Sequence, residues 1–106
     1  MIREYWGQEV REIDGSSKPR VFETTINRGI WWEEGKKPRV GISEKIVSEL
    51  MRLDPDAILI IDCLEPEVKF STPVWKIKKC ESEEFILPRS GDKAKMYQVP
   101  IILNII

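Results

Sequence analysis

The stretch Ser43-Glu44-Lys45-Ile46-Val47-Ser48-Glu49-Leu50-Met51-Arg52-Leu53-Asp54-Pro55-Asp56-Ala57-Ile58-Leu59-Ile60-Ile61-Asp62 changes its hydrophobic period partway along, and that change decides the fold class. Up to Leu53 the apolar residues Ile46, Val47, Leu50 and Leu53 recur at three- and four-residue spacings, which lays one apolar face along a helix. Ser43 is a good N-cap, and Glu44 stands in the first turn, where the helix dipole favours a carboxylate. Pro55 ends the helix, because the residue before a proline avoids helical angles. From Ala57 to Ile61 the run is continuously apolar and reads as a buried strand.

Working outward, Val68-Lys69-Phe70-Ser71-Thr72 alternates and reads as the neighbour of that strand. Val74 to Lys79 fits a short helix or a further strand. Glu84 to Leu87 and Tyr97 to Ile106 are strand candidates, separated by the turn Pro88-Arg89-Ser90-Gly91-Asp92. Upstream, Arg20 to Ile26 is rich in β-branched residues and reads as a strand. Asn27-Arg28-Gly29 is a turn, after which Ile30 to Glu33 pairs back on that strand as a hairpin arm. Glu34 to Pro38 is a loop, and Tyr5 to Ile13 fits a strand or a short helix. The order β-β-α-β-β-β-β predicts an α+β fold: one mostly antiparallel sheet of about five to six strands, with one main helix over about 43–53.

At 106 residues, 42% hydrophobic and 33% charged, the chain makes one domain, 1–106, with a modest core and a well-solvated surface. Seventeen basic against 18 acidic side chains leave a net charge of -1, without the basic excess of a constitutive polyanion binder. No apolar run reaches the ~20 residues that span a bilayer, and Met1 to Trp6 lacks the apolar core of a signal peptide. The expected location is the cytoplasm, with no membrane partner. Many charges, seven prolines, two Gln and two Asn give a composition of the kind heat-adapted proteins show.

Two cysteines are too few for a disulfide scaffold or a four-thiolate zinc site, and Cys63 reads as a reduced structural thiol closing a buried strand. Histidine is absent, which removes Ser-His-Asp and Cys-His machinery and imidazole metal ligands. Carboxylates, lysines, tyrosines and cysteines remain for chemistry. No phosphate-binding glycine loop, dinucleotide fingerprint or calcium loop occurs.

One catalytic pattern stands out. Pro55-Asp56, followed by Glu67-Val68-Lys69, resembles the signature of the PD-(D/E)XK nucleases. The resemblance implies acidic residues that bind a divalent metal such as Mg2+ and a lysine that positions or activates the attacking water. It also implies a carboxylate on the preceding helix, where Glu44 and Glu49 stand. Carboxylate and lysine two apart on a strand share one face. A hairpin turning at Leu64-Glu65 would set Asp62 opposite Glu67 and put Asp56 about five positions from Glu67, on the order of 16 Å. Asp62 then replaces Asp56 as neighbour, and the alternative catalytic set is Asp56, Asp62, Glu67 and Lys69, with Asp62 and Glu67 as metal ligands.

The preferred reading needs no catalysis and no cofactor. Four tryptophans is a high count for this length. Adjacent strand residues face opposite ways, so Trp31 and Trp32 do not both enter one core. Arg28, Lys36, Lys37 and Arg39 surround them, a setting that suits single-stranded nucleic acid or a protein interface equally. A second basic cluster, Lys76, Lys78 and Lys79 after Trp75, is followed at once by Glu81, Glu83 and Glu84, which reads as an ordinary solvated surface. Expected, then, is a small binding or accessory module whose contact residues are Arg28, Trp31, Trp32, Lys36, Lys37 and Arg39. The apolar run from Val99 to Ile106 must be covered, by the domain's own sheet or by a second copy in a homodimer.

Overall fold

The computed structural model describes residues 9–14, 16, 18–26, 30–31, 35, 38–64, 67–86 and 91–101. The helix expected over 43–53 is α1, Glu44–Leu53. Ser43 caps it: its Oγ accepts from the Lys45 N–H at 3.3 Å. Ile46, Val47 and Leu50 are buried along its apolar face, and each such side chain contributes about 1.5–3 kcal/mol by leaving water. The helix stops at Asp54, whose extended backbone (φ -157°) precedes Pro55.

Asp54 also ties three elements together. It is buried, and its Oδ2 accepts from the Arg20 N–H at 2.8 Å while Oδ1 accepts from the Asp56 N–H at 2.9 Å. These two backbone donors hold its carboxyl below the usual aspartate range. The end of α1 is thereby fixed to the starts of β2 (Val21–Ile26) and β5 (Ile58–Leu64).

The remaining strands are β1 (Val10–Asp14), β3 (Ile30–Trp31), β4 (Arg39–Ser43), β6 (Glu67–Pro73), β7 (Ser82–Ile86) and β8 (Lys93–Pro100); α2 (Val74–Ile77) lies between β6 and β7. Among the described residues the strands divide between two four-stranded sheets, ordered β1-β2-β5-β6 and β3-β4-β8-β7. All pairs are antiparallel except β2 with β5. The α+β class, the mostly antiparallel pairing and the main helix are as expected; the single sheet becomes two.

Three details differ from the sequence reading. The arm at Ile30 does not pair with β2, because β1 and β5 occupy both edges of β2; it pairs instead with β4, a strand the sequence reading does not assign. The β2–β5 pair is parallel, and α1 belongs to the crossover such a pair requires. The apolar run at 58–61 is not equally buried on both faces: Leu59 and Ile61 are enclosed, whereas Ile58 and Ile60 are half-buried.

The sheets share one core. Phe22, Leu59, Ile61 and Phe70 from the first meet Val40, Ile42, Tyr97 and Val99 from the second, together with Leu50 of α1 and Val74 and Ile77 of α2. Strand β8 is interior, paired on one side with β4 and on the other with β7. The domain's own sheet therefore covers this part of the C-terminal run. Met96 and Tyr97 are paired on both sides, residues 93–95 pair with β7 and 98–100 with β4, and 102–106 lie outside the described residues.

Candidate functional site

The aromatic and basic surface expected around 28–39 rests on the hairpin β3–β4. Its register sets Trp31 directly opposite Arg39 and Ile30 opposite Val40. Strand β3 is the edge of its sheet. Val40 is fully buried and anchors the hairpin to the core. The Arg39 guanidinium donates to Gln98 Oε1, a short contact across to β8 that holds the half-buried arginine in place. Gly35 in the connecting loop has φ 80°, a left-handed conformation that glycine adopts without steric cost. Arg28, Trp32, Lys36 and Lys37 lie outside the described residues.

The nuclease-like residues lie on the β5–β6 hairpin. The pairing is shifted two residues from the expected one: Asp62 faces Lys69, and Glu67 faces Leu64. An even shift preserves the face, so Asp62, Glu67 and Lys69 share it. With the ladder running to Leu64 and Glu67, Pro66 need not sit inside either strand, where it could not donate. Asp56 precedes β5 at the far end of the hairpin, and the whole of β5, itself roughly 20 Å long, lies between it and the Leu64–Glu67 pair. Its N–H serves Asp54 at the helix–strand junction.

The chemistry around Lys69 is that of a counter-ion. Its Nζ lies 3.4 Å from Glu23 Oε2, and the other carboxylate oxygen of Glu23 meets the Arg11 guanidinium. Glu23 is only 6% exposed. Arg11 first, and Lys69 after it, hold its carboxyl below the usual glutamate range. Asp62 and Glu67 supply two carboxylates, and among the described residues no group of three or more His, Cys, Asp or Glu is placed to hold a metal ion. The helix carboxylates are engaged elsewhere: Glu49 pairs with Arg52, and Glu44 accepts from Ser48 at 3.4 Å.

The structure brings forward a residue the sequence reading left as plain surface. In α2, Val74 and Ile77 are fully buried, three positions apart, which turns Trp75 outward at 39% exposure. Lys76 Nζ stands 5.6 Å and Lys79 Nζ 5.1 Å from the centroid of its ring. No acidic partner pairs with Lys76, Lys78 or Lys79 among the described residues. Glu83 and Glu84, adjacent in sequence, belong instead to β7, opposite Met96 and Lys95. The signal was present in the spacing: apolar residues at 74 and 77 leave 75, 76 and 79 off the buried side.

A shallow groove of about 210 Å³ is lined by Glu44, Lys45, Glu84, Lys93, Ala94 and Lys95, and its alternating charges mark no single ligand. Cys63 is buried and free, and burial pushes its thiol up and away from reactivity. Among the described residues no helix is long and apolar enough to cross a membrane. No family model, curated protein or solved structure matches this chain, so its function is read from its own residues.

Proposed function

We propose that this chain is a small non-catalytic binding module of the cytoplasm that meets a protein or nucleic-acid partner through the hairpin β3–β4. The observation that carries this reading is the register. Trp31 and Arg39, residue types favoured as interface anchors, are cross-strand neighbours at the edge of a sheet. Arg28, Trp32, Lys36 and Lys37 complete the surface in sequence. Arg39 is held toward Gln98 before any partner arrives, which reduces the side-chain entropy lost on binding.

The test is affinity capture with the wild-type chain, followed by titration of the captured partner against Trp31→Ala and a Lys36→Ala/Lys37→Ala double variant. An anchor of this kind carries about 2 kcal/mol or more, so Trp31→Ala should weaken binding roughly thirtyfold. Unchanged affinity in both variants would remove the hairpin from the function. Association of two copies through the C-terminal strand belongs to the same proposal, and sedimentation at micromolar concentration reads it.

The second reading is a metal-dependent nuclease or a degenerate relative. The register favours it by bringing Asp62, Glu67 and Lys69 to one face, while the pairing of Lys69 with Glu23 weighs against it. Incubation with labelled DNA and Mg2+ is expected to leave the substrate intact. Cleavage that disappears in Lys69→Ala would displace the binding reading.

A further inference from the structure

We infer that Trp75, with Lys76, Lys78 and Lys79, forms a stacking site for single-stranded nucleic acid, separate from the β3–β4 hairpin. A stacking site needs a rigid ring that protrudes without dragging its neighbours. The backbone of α2 is fixed to the core: the Val74 N–H donates to the Ala57 carbonyl at 2.9 Å, and the turn closes through Cys80 N–H to the Ile77 carbonyl at 2.9 Å. Val74 and Ile77 are fully buried beneath it. The indole therefore stands on a foundation that binding does not have to organise.

The charge around the ring selects an anion. Three lysines follow Trp75 within four positions, and none pairs with an acid among the described residues. Two of them lie against the ring itself, at 5.6 and 5.1 Å. An exposed cation–ring contact is worth about two- to fivefold in an equilibrium, whereas stacking of a base on an aromatic side chain is worth roughly 5- to 150-fold. A base can displace the ammonium groups from the ring, and each freed ammonium can then meet a phosphate. A duplex keeps its bases stacked on each other and offers the same lysines phosphates alone. An acidic peptide engages the lysines and leaves the ring without a flat partner. The combination of ring and cations favours an unpaired strand.

The experiment uses the full chain and a short fluorescein-labelled oligothymidylate at low salt, read by anisotropy, with its duplex with oligoadenylate and an oligoglutamate peptide as competitors. The expected result is saturable binding, weakened about tenfold or more by Trp75→Ala and largely kept by Trp75→Phe. Lys79→Ala should lower the slope of log K against log salt by about 0.7, one phosphate contact on a single strand. Circular dichroism should show the variants folded, as expected for changes outside the core. Absence of binding, equal affinity of Trp75→Ala and wild type, duplex competition as strong as that of the single strand, or displacement by oligoglutamate at equal charge would each overturn the inference. The hairpin reading is scored separately by Trp31→Ala, so an oligonucleotide affinity lost in that variant and kept in Trp75→Ala sinks this site and leaves the other standing.

Discussion

Two regions of this domain carry similar numbers of cations and handle them in opposite ways. On the outer face of the sheet β1-β2-β5-β6, Arg11 and Lys69 converge on the carboxylate of Glu23, which they cover. On α2, Lys76 and Lys79 lie against Trp75 and meet no acid among the described residues. Both regions look mixed in sequence, since each lysine cluster has glutamates within a few positions. Topology separates them. Glu23 reaches Lys69 across β5, 46 positions along the chain, while Glu83 and Glu84 are carried off on β7 although they stand only a few residues from Lys79. Charge balance is a property of surfaces, and proximity along a strand or helix end is a poor guide to it.

The largest effect should come from beneath the second region. Ile77 is fully buried and anchors α2, so Ile77→Ala removes its contacts and leaves a cavity, at about 3 kcal/mol. For a domain of this size that is a fall in melting temperature of about 10 °C or more by differential scanning fluorimetry. Trp75→Ala on the same short helix should move the midpoint far less, because its ring is already in water to a considerable degree. If the two variants melted alike, the indole would be core, and the contrast between a buried anchor and an outward ring would fail.

The helix α1 and the β5–β6 hairpin were legible because their signals are local: Ile46, Val47 and Leu50 keep one period, and the hairpin joins strands adjacent in sequence. The parallel β2–β5 pair was not, since nothing in Val21–Ile26 records which distant strand will lie beside it. Strand β4 was missed because it is short, holds Gly41 and runs directly into the helix cap at Ser43. That omission also assigned β3 the wrong partner. Of the candidate site residues, the shared face of Asp62, Glu67 and Lys69 was legible from strand alternation. The role of Glu23 was not, because its partners come from two other strands.

A second, smaller effect separates the regions by pH. Glu23 has its carboxyl lowered from the usual 4.5, mainly by Arg11 and then by Lys69. The ionised form is therefore favoured by folding. The stability this gives is fully present above the ordinary glutamate range and is lost as pH falls through the lower folded value. Glu23→Gln should lower the melting temperature at pH 7, and the gap to wild type should narrow as the pH falls below the ordinary glutamate range. Asp54, lowered by its two backbone donors, keeps a residual acid dependence in that variant. Parallel curves across the range would mean that Glu23 contributes through packing alone.

The smallest effect tests the unmatched lysines directly. Arg11 and Lys69 are largely exposed, at 74% and 61% of their side chains, yet each faces a shielded carboxylate. Substituting either removes an attraction and should lower stability slightly at low salt, by less than about 1 kcal/mol. Lys76 and Lys79 both lie within 5.6 Å of the centroid of one ring, so Lys79→Gln removes a like-charge repulsion as well as a ring contact, and the two changes oppose. Its melting temperature should lie within about 2 °C of wild type at low salt. Raising the salt concentration should then stabilise wild type slightly more than Lys79→Gln, because only wild type retains the repulsion that salt screens. The opposite ordering, with salt weakening wild type more than the variant, would mean that Lys79 has an acidic partner in solution. The α2 surface would then resemble the Glu23 face, with its cations already matched.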